Sequence, residues 1–439
     1  MPPRSPTLRV LDLLKTKRRQ VALLLSLVII ATAFDLAVPI ISQQLIDTLI
    51  GFFTHGAGFP ATILIASAAG ILVATIISRA LMSTYDYHLF KTVTALEDRV
   101  RHDVFEKYLN LYALFHHGSS SGQIIGRIER GGVATYSLLH DIFGRNLLPP
   151  LIVFLGVIIT LLIKQPLMAL AVFLPLPIYA ASVRALTEKI YRIEQRANDQ
   201  FEDVSRMSYD VAANVLTVKK FGQEGVEADA QNQLRQHARI TKYSAERLWS
   251  VMENIQTVVA TIGRIGVILL GGYLVFTGGT TVGEFVLYVT LQNMAYQPLA
   301  QLSIVLPRMR RNTARAERMF SILDEPARVT DKPDAIPLSP FSREIEFDHV
   351  VFRYGSAPSA AANDVTVTIQ AKTTVALVGR SGSGKTTFIN LLLRSFDPHA
   401  GAIRIDGVDL RDATRESLLA QIAVVPQEVE LFSRTIFEN

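Results

Sequence analysis

A six-span all-α membrane domain with long cytoplasmic helical extensions, followed by an incomplete α/β domain on a phosphate-binding loop, is the fold class predicted for this 439-residue chain. Three observations predict it: apolar runs long enough to cross a bilayer, a bias of Lys and Arg to one set of connections, and one glycine-rich loop. The composition agrees, at 49% hydrophobic and 19% charged, against roughly 25% charged in soluble proteins. The net charge of +5 and pI near 9.3 fit basic loops beside a membrane, so no nucleic-acid partner is expected. With Cys 0, disulfides, thiolate metal sites and cysteine nucleophiles are excluded.

The first span, near 21–44, follows a basic segment, 1–20, that carries Lys15, Lys17, Arg18 and Arg19. About 20 apolar residues cross a bilayer core of about 30 Å. Further spans are expected near 60–82, 147–163, 166–183, 255–276 and 282–306, all within a membrane domain covering 21–307. The connections near 51–60 and 277–283 carry no Lys or Arg, whereas the N-terminus and segments 83–135, 184–250 and 308–332 are rich in both. Positive charge marks the inner side, so a multi-pass protein with both termini cytoplasmic is expected.

The two long inner segments mix charge with apolar residues at helical spacing, and they contain almost no proline. They read as spans that continue into water and turn back, with turns near Ser119 to Arg127 and Ser205 to Leu216. Such stalks need a partner at their tips.

Past Pro307 the apolar runs stop, and 308–344 is a linker rich in proline and charge. From Ile345 short β-rich pieces follow: IEFDHVVFRY, VTVTI, TVALVG and AIRID. TVALVG is expected as a buried strand that leads into Gly379-Arg380-Ser381-Gly382-Ser383-Gly384-Lys385-Thr386-Thr387 and then into an apolar helix. This is the G-x-x-x-x-G-K-[ST] pattern in its strand, loop, helix setting. Glycines let backbone N–H groups turn inward on a phosphate at a helix N-terminus, where the dipole adds positive charge. Lys385 is placed to reach the β- and γ-phosphates, and the Thr386 hydroxyl to meet Mg²⁺. AIRID followed by Gly407 reads as a strand and hairpin turn.

FRYG, LVGRSGSGKTT, FDPHAGAIRIDGVDL and VVPQEVELFSRTIFEN, in that order, resemble the cassette of an ATP-binding cassette (ABC) exporter of the half-transporter type. TVKKFGQEGVE, TVGEF and AERMFSILDEP agree with its membrane part more loosely. The resemblance implies a membrane all-α six-helix exporter domain, then an incomplete α/β P-loop NTPase domain at 345–439. It implies ATP and Mg²⁺ as ligands and a second half-transporter as partner in the bilayer, with the bacterial inner membrane as its location. Position by position, it implies that Tyr354 stacks on adenine, that Gln427 reaches Mg²⁺ and the attacking water, and that the stalk tips are coupling helices. Lys372 stands where the family usually has Gly.

No LSGGQ-like signature, Asp-Glu strand or switch histidine follows Gln427. The chain alone is therefore expected to bind nucleotide weakly and not to hydrolyse it, and a catalytically silent subunit with a regulatory or assembly role is the alternative. Glu428 and Glu430 are poor general bases beside the glutamine hinge, and the adjacent His116 and His117 point to different helix faces, which argues against a metal site. Inside the spans, Asp35 and Arg264 are costly charges. They either pair or line the transport path, unless Arg264 snorkels to the inner interface. Gln292, Asn293, Gln297 and Gln301 share one face of the last span, as a wet lining or as helix-to-helix hydrogen bonds.

Overall fold

The computed structural model describes residues 5–55, 61–112, 115, 121–326, 329–354, 359–380, 382–425 and 431–438, without the side chains of 55, 297 and 299–304. Packing divides the chain into two units, Met1–Arg99 with Gly131–Glu317, and Val100–Arg130 with Arg318–Asn439.

The helices are α1 (Pro6–Leu13), α2 (Arg18–His55), α3 (Ala61–Leu109), α4 (Ser121–Tyr136), α5 (Leu148–Lys164), α6 (Pro166–Phe173), α7 (Leu176–Ala213), α8 (Val215–Phe221), α9 (Glu224–Phe276) and α10 (Val282–Asp324). At 1.5 Å per residue, the 49 residues of α3 extend about 74 Å. That is more than twice a bilayer core, so the apolar stretch continues into a polar stalk without a break. Gln165, in extended conformation ahead of Pro166, breaks the helical run between the spans expected near 147–163 and 166–183. Five helical stretches are long and apolar enough to cross a membrane. The sixth apolar segment is also helical, in α10, but it is not one of the five.

The stalk turns differ from expectation. Residues 121–127 are already helical in α4, and 119–120 lie outside the described residues. The second turn opens within the expected stretch and closes beyond it. Helix α7 runs through Ala213, Asn214 breaks it, α8 follows, and Gly222 turns the chain at φ 61°. Ser205 to Ala213 has no helix breaker, whereas Gly222 takes the left-handed conformation without the Cβ penalty that ends helices.

In the membrane unit, Val157, Leu161, Met168, Val172, Val267, Leu287, Leu291 and Tyr296 form the core. The Tyr296 hydroxyl donates to the Val172 carbonyl at 2.9 Å. Outward-facing residues are equally apolar: Ile163 is 78% exposed and Leu174 70%. An apolar surface of this kind suits lipid rather than water.

The TVGEF segment has a specific job here. Thr281 Oγ1 accepts from the Glu284 N–H at 3.0 Å while Glu284 Oε2 accepts from the Thr281 N–H at 3.2 Å, a reciprocal helix cap. Asp47 of α2 takes the Gly283 N–H and the Thr281 hydroxyl, each at 2.8 Å. A Cβ on Gly283 would lie 2.4 Å from the Gln43 carbonyl oxygen, so only glycine lets the two helices approach this closely. Gly283→Ala is expected to cost about 1–3 kcal/mol by overpacking. The check is the thermal unfolding midpoint in detergent, with Gly272→Ala, where a Cβ meets nothing within 4 Å, leaving it unchanged.

Candidate nucleotide-binding site

In the second unit, β1 (Glu344–Phe352), β2 (Ala362–Gln370), β3 (Ala400–Ile405) and β4 (Val408–Asp409) form an antiparallel sheet of order β2-β1-β3-β4. Its core is Phe347, Val350, Phe352, Leu391, Phe396, Ile403 and Ile405. Asp406-Gly407 is the expected hairpin turn, with φ of 51° and 89°. Asp406 also closes the sheet edge, accepting from the N–H groups of Ser342, Arg343 and Glu344 at 2.7, 2.8 and 2.9 Å.

The phosphate loop meets α11 (Lys385–Leu392) at its N-terminus. Gly382 and Gly384 stand at φ 80° and 91°, and a Cβ on Gly384 would press to 2.4 Å from the Ala361 carbonyl oxygen. The loop therefore has the backbone form that only glycine adopts without strain. Lys385 Nζ donates to the carbonyls of Gly379 and Arg380 at 2.9 and 2.8 Å, which holds its ammonium over the loop. Phe388, on the same helix, stacks on Phe347 of β1 with ring centres 4.0 Å apart, and this seats the helix on the sheet. Ser381 and Gln427 lie outside the described residues, as do His116, His117, Glu428 and Glu430.

The expected strand ahead of the loop is not formed. Residues 373–380 have no regular structure and are exposed, Val378 at 89%. A buried parallel strand needs hydrogen-bonding neighbours alongside, and among the described residues none runs beside this segment. Lys372, just before it, stands at φ 62°, a left-handed turn position that glycine fills at less cost.

Tyr354 lies at the loop helix. Its hydroxyl shares a 3.2 Å hydrogen bond with Thr387 Oγ1, and its ring packs edge-on to Phe352 and Phe396. Sequence reading missed Arg394, whose side chain is only 2% exposed. It donates to Asp331 at 2.9 Å, the Ala413 carbonyl at 2.8 Å and the Thr330 carbonyl at 3.2 Å, tying the linker to the end of the loop helix. A lone arginine after FINLLL was the available signal.

Asp35 and Arg264 are not bonded to each other. Asp35 Oδ1 accepts from the Ser78 hydroxyl at 2.6 Å, and Arg264 Nη2 donates to Asn293 Oδ1 at 2.6 Å. Each charge has a nearer polar partner, which lowers its cost without a salt bridge. The Gln292 amide is 1% exposed and donates to the Ala260 carbonyl at 3.2 Å. This bond ties two helices together, and the side chain of Gln301 lies outside the described residues.

Comparison with known proteins decides the family. A model described as ABC transporter transmembrane region matches residues 21–299, and one described as ABC transporter matches 362–439. The chain belongs to the ABC transporter family. Within it, the β-(1→2)glucan export ATP-binding/permease protein NdvA of Rhodopseudomonas palustris (strain BisB5) is 30% identical over 444 residues, 98% of this chain and 71% of NdvA. An ATP-dependent lipid A-core flippase of Desulfotalea psychrophila is 30% identical over 369 residues, 80% of this chain and 62% of that protein. A bacterial Atm1-family ABC exporter solved with ATP bound matches at TM-score 0.77 and 25% identity, covering 95% of this chain and 73% of that one. The ABC chain is thus a half-type exporter subunit with a nucleotide-binding region, and it is an integral membrane protein.

The Asp406 turn gives a pH prediction. Desolvation acts to raise its pKa, but the N–H groups of Glu344, Ser342 and Arg343 outweigh it and bring it down to about 2. A folded pKa below the unfolded value of about 3.9 contributes stability that is present above that value and lost as pH falls through about 2. Hydrogen-exchange protection of the Arg343 and Glu344 amides should fall over that window, and Asp406→Asn should flatten the dependence.

Proposed function

We propose that this subunit works as one half of a dimer, in the bacterial inner membrane with both termini cytoplasmic, and that it crosses the bilayer six times. The domain bounds would then be 1–20 for the N-terminal segment, 21–307 for the membrane part, 308–344 for the linker and 345–439 for the cassette region. The subunit exports a substrate at the expense of ATP. The observation that carries this reading is the loop with Gly382 and Gly384 at positive φ beneath the start of α11, in a chain whose other half is long apolar helices.

The donor set fits a nucleotide with Mg²⁺. Backbone N–H groups at a helix start suit phosphate oxygens, and the Thr386 hydroxyl is an oxygen donor of the kind Mg²⁺ prefers. Bound Mg²⁺ would neutralise charge between the β- and γ-phosphates. Lys385 would leave the carbonyls of Gly379 and Arg380 for the phosphates, so its ammonium exchanges two neutral acceptors for charged ones. The backbone from Gly379 to Thr387, including Arg380, Ser381, Gly382, Ser383 and Gly384, would cradle them, and Tyr354 would flank the base. Gln427 would orient the attacking water. Asp35, Arg264, Gln292 and Gln301 remain the proposed substrate path.

Nucleotide binding favours a closed state only through contacts absent from the open one. The exposed apolar tip of α8, with Leu216 73% and Phe221 74% exposed, is the surface on which a cassette would seat to pass closure to the membrane helices.

Titration of the detergent-purified chain with a fluorescent ATP analogue and Mg²⁺ tests the loop. Lys385→Ala is expected to weaken binding at least about tenfold, since a hydrogen bond to a charged group is worth about 1.5–3 kcal/mol. Equal affinity in both would remove Lys385 from the site.

A further inference from the structure

The second half of the linker is built into the second unit. Pro333, Pro337 and Pro340 have no N–H and a fixed φ, so this stretch cannot wind on itself and its remaining N–H groups turn to a neighbour. Ile336 pairs with Ala413: its N–H donates to the Asp412 carbonyl, and the Thr414 N–H donates back to the Ile336 carbonyl, each at 2.9 Å. Further along, the Leu338 N–H donates to the Ser417 hydroxyl at 2.9 Å and the Phe341 N–H to Gln421 Oε1 at 2.8 Å. Residues 330–343 thus form a strap with a fixed register.

Asp331 keys the strap at its first end. Its Oδ1 accepts from Arg394 Nη1 at 2.9 Å, just past the end of α11, and its Oδ2 accepts from the Arg415 N–H at 3.0 Å, where α12 (Arg415–Leu419) begins. One carboxylate therefore joins the far end of the phosphate-loop helix to the helix that precedes Gln427 in sequence. Arg394 stands at φ 49°, a left-handed position that glycine fills without strain. A buried arginine held there points to a use for its side chain. Were the strap to lift away, that buried guanidinium would lose Asp331, which is costly, so strap and helix end move together. The eight residues of α11 span only about 12 Å, and a shift at the phosphate end reaches Arg394 through one short rod.

We infer that Asp331 is a positioning residue of the nucleotide site: through Arg394 it couples α11 to the strap, and the strap continues the chain that leaves α10. This role rests on the nucleotide-binding reading and deepens it. It adds to the α8 tip a second route from the phosphate loop, one that runs along the chain itself.

Hydrogen exchange on the full chain in lipid nanodiscs tests the coupling. It is read at the Ile336, Leu338 and Phe341 amides with and without ATP and Mg²⁺, beside a titration with a fluorescent ATP analogue. In the unaltered chain ATP should change strap exchange several-fold, and Lys385→Ala should abolish that change. Without nucleotide, Asp331→Ala should speed strap exchange at least about tenfold, the effect of losing a hydrogen bond to a charged group. The same variant should keep the unaltered affinity for the analogue, yet show no ATP response at the strap. If Asp331→Ala does not fold, Gln421→Ala loosens the strap from an exposed position, and its Leu338 and Phe341 amides should lose the ATP response. A response that survives in the folded variant overturns the coupling, as does a strap that ignores ATP in a chain that binds the analogue. A fall in analogue affinity in folded Asp331→Ala would make the residue a structural support and overturn it too. No analogue binding in the unaltered chain would instead remove the nucleotide reading, and the strap's role with it.

Discussion

Lipid offers a backbone no hydrogen-bond partner, and the architecture of the membrane part follows from that constraint. The membrane part must be helical throughout, so any signal from a nucleotide has to travel along helices rather than through loops. The 49-residue α3 and 53-residue α9 are each about two and a half times as long as a bilayer requires. Their surplus length is amphipathic stalk. The same constraint explains why Asp35 and Arg264, two charges inside the spans, each have a polar neighbour, Ser78 and Asn293.

The second unit shows what a phosphate loop needs and what it does without. Its helix is seated by the Phe347–Phe388 stack and its end is tied to the linker by Arg394. Its turn glycines hold positive φ although the preceding residues are not paired in a sheet. The anion nest is thus a local property of the sequence from Gly379 to Thr387, while the strand ahead of it is a cooperative property of a sheet.

That distinction marks how far the sequence was legible. The helical character of the apolar runs, the break at Gln165-Pro166 and the Asp406-Gly407 hairpin depend on local chemistry and were readable. The TVALVG strand depends on neighbours and was not. The second stalk turn opens at Asn214, inside the expected stretch, but it closes only at Gly222, whose left-handed conformation ends the short helix between them. Arg394 and the π-helical stretch Ser137–Leu147 had no periodic signature: one is a single buried charge, and the other carries a Tyr85–Gly144 bond between residues 59 apart. TVGEF was recognised as a pattern, but its reason, a helix cap locked onto Asp47, needed the structure.

The absence of native cysteine makes the relay from nucleotide to membrane directly measurable. A single cysteine placed at Met82, which lines a cavity of the membrane unit, is labelled with a water-soluble maleimide in lipid nanodiscs with and without ATP and Mg²⁺. The account predicts a several-fold change in labelling rate on ATP addition that disappears in Lys385→Ala. A rate indifferent to ATP in a chain that binds it, or a change that persists without Lys385, would contradict the account.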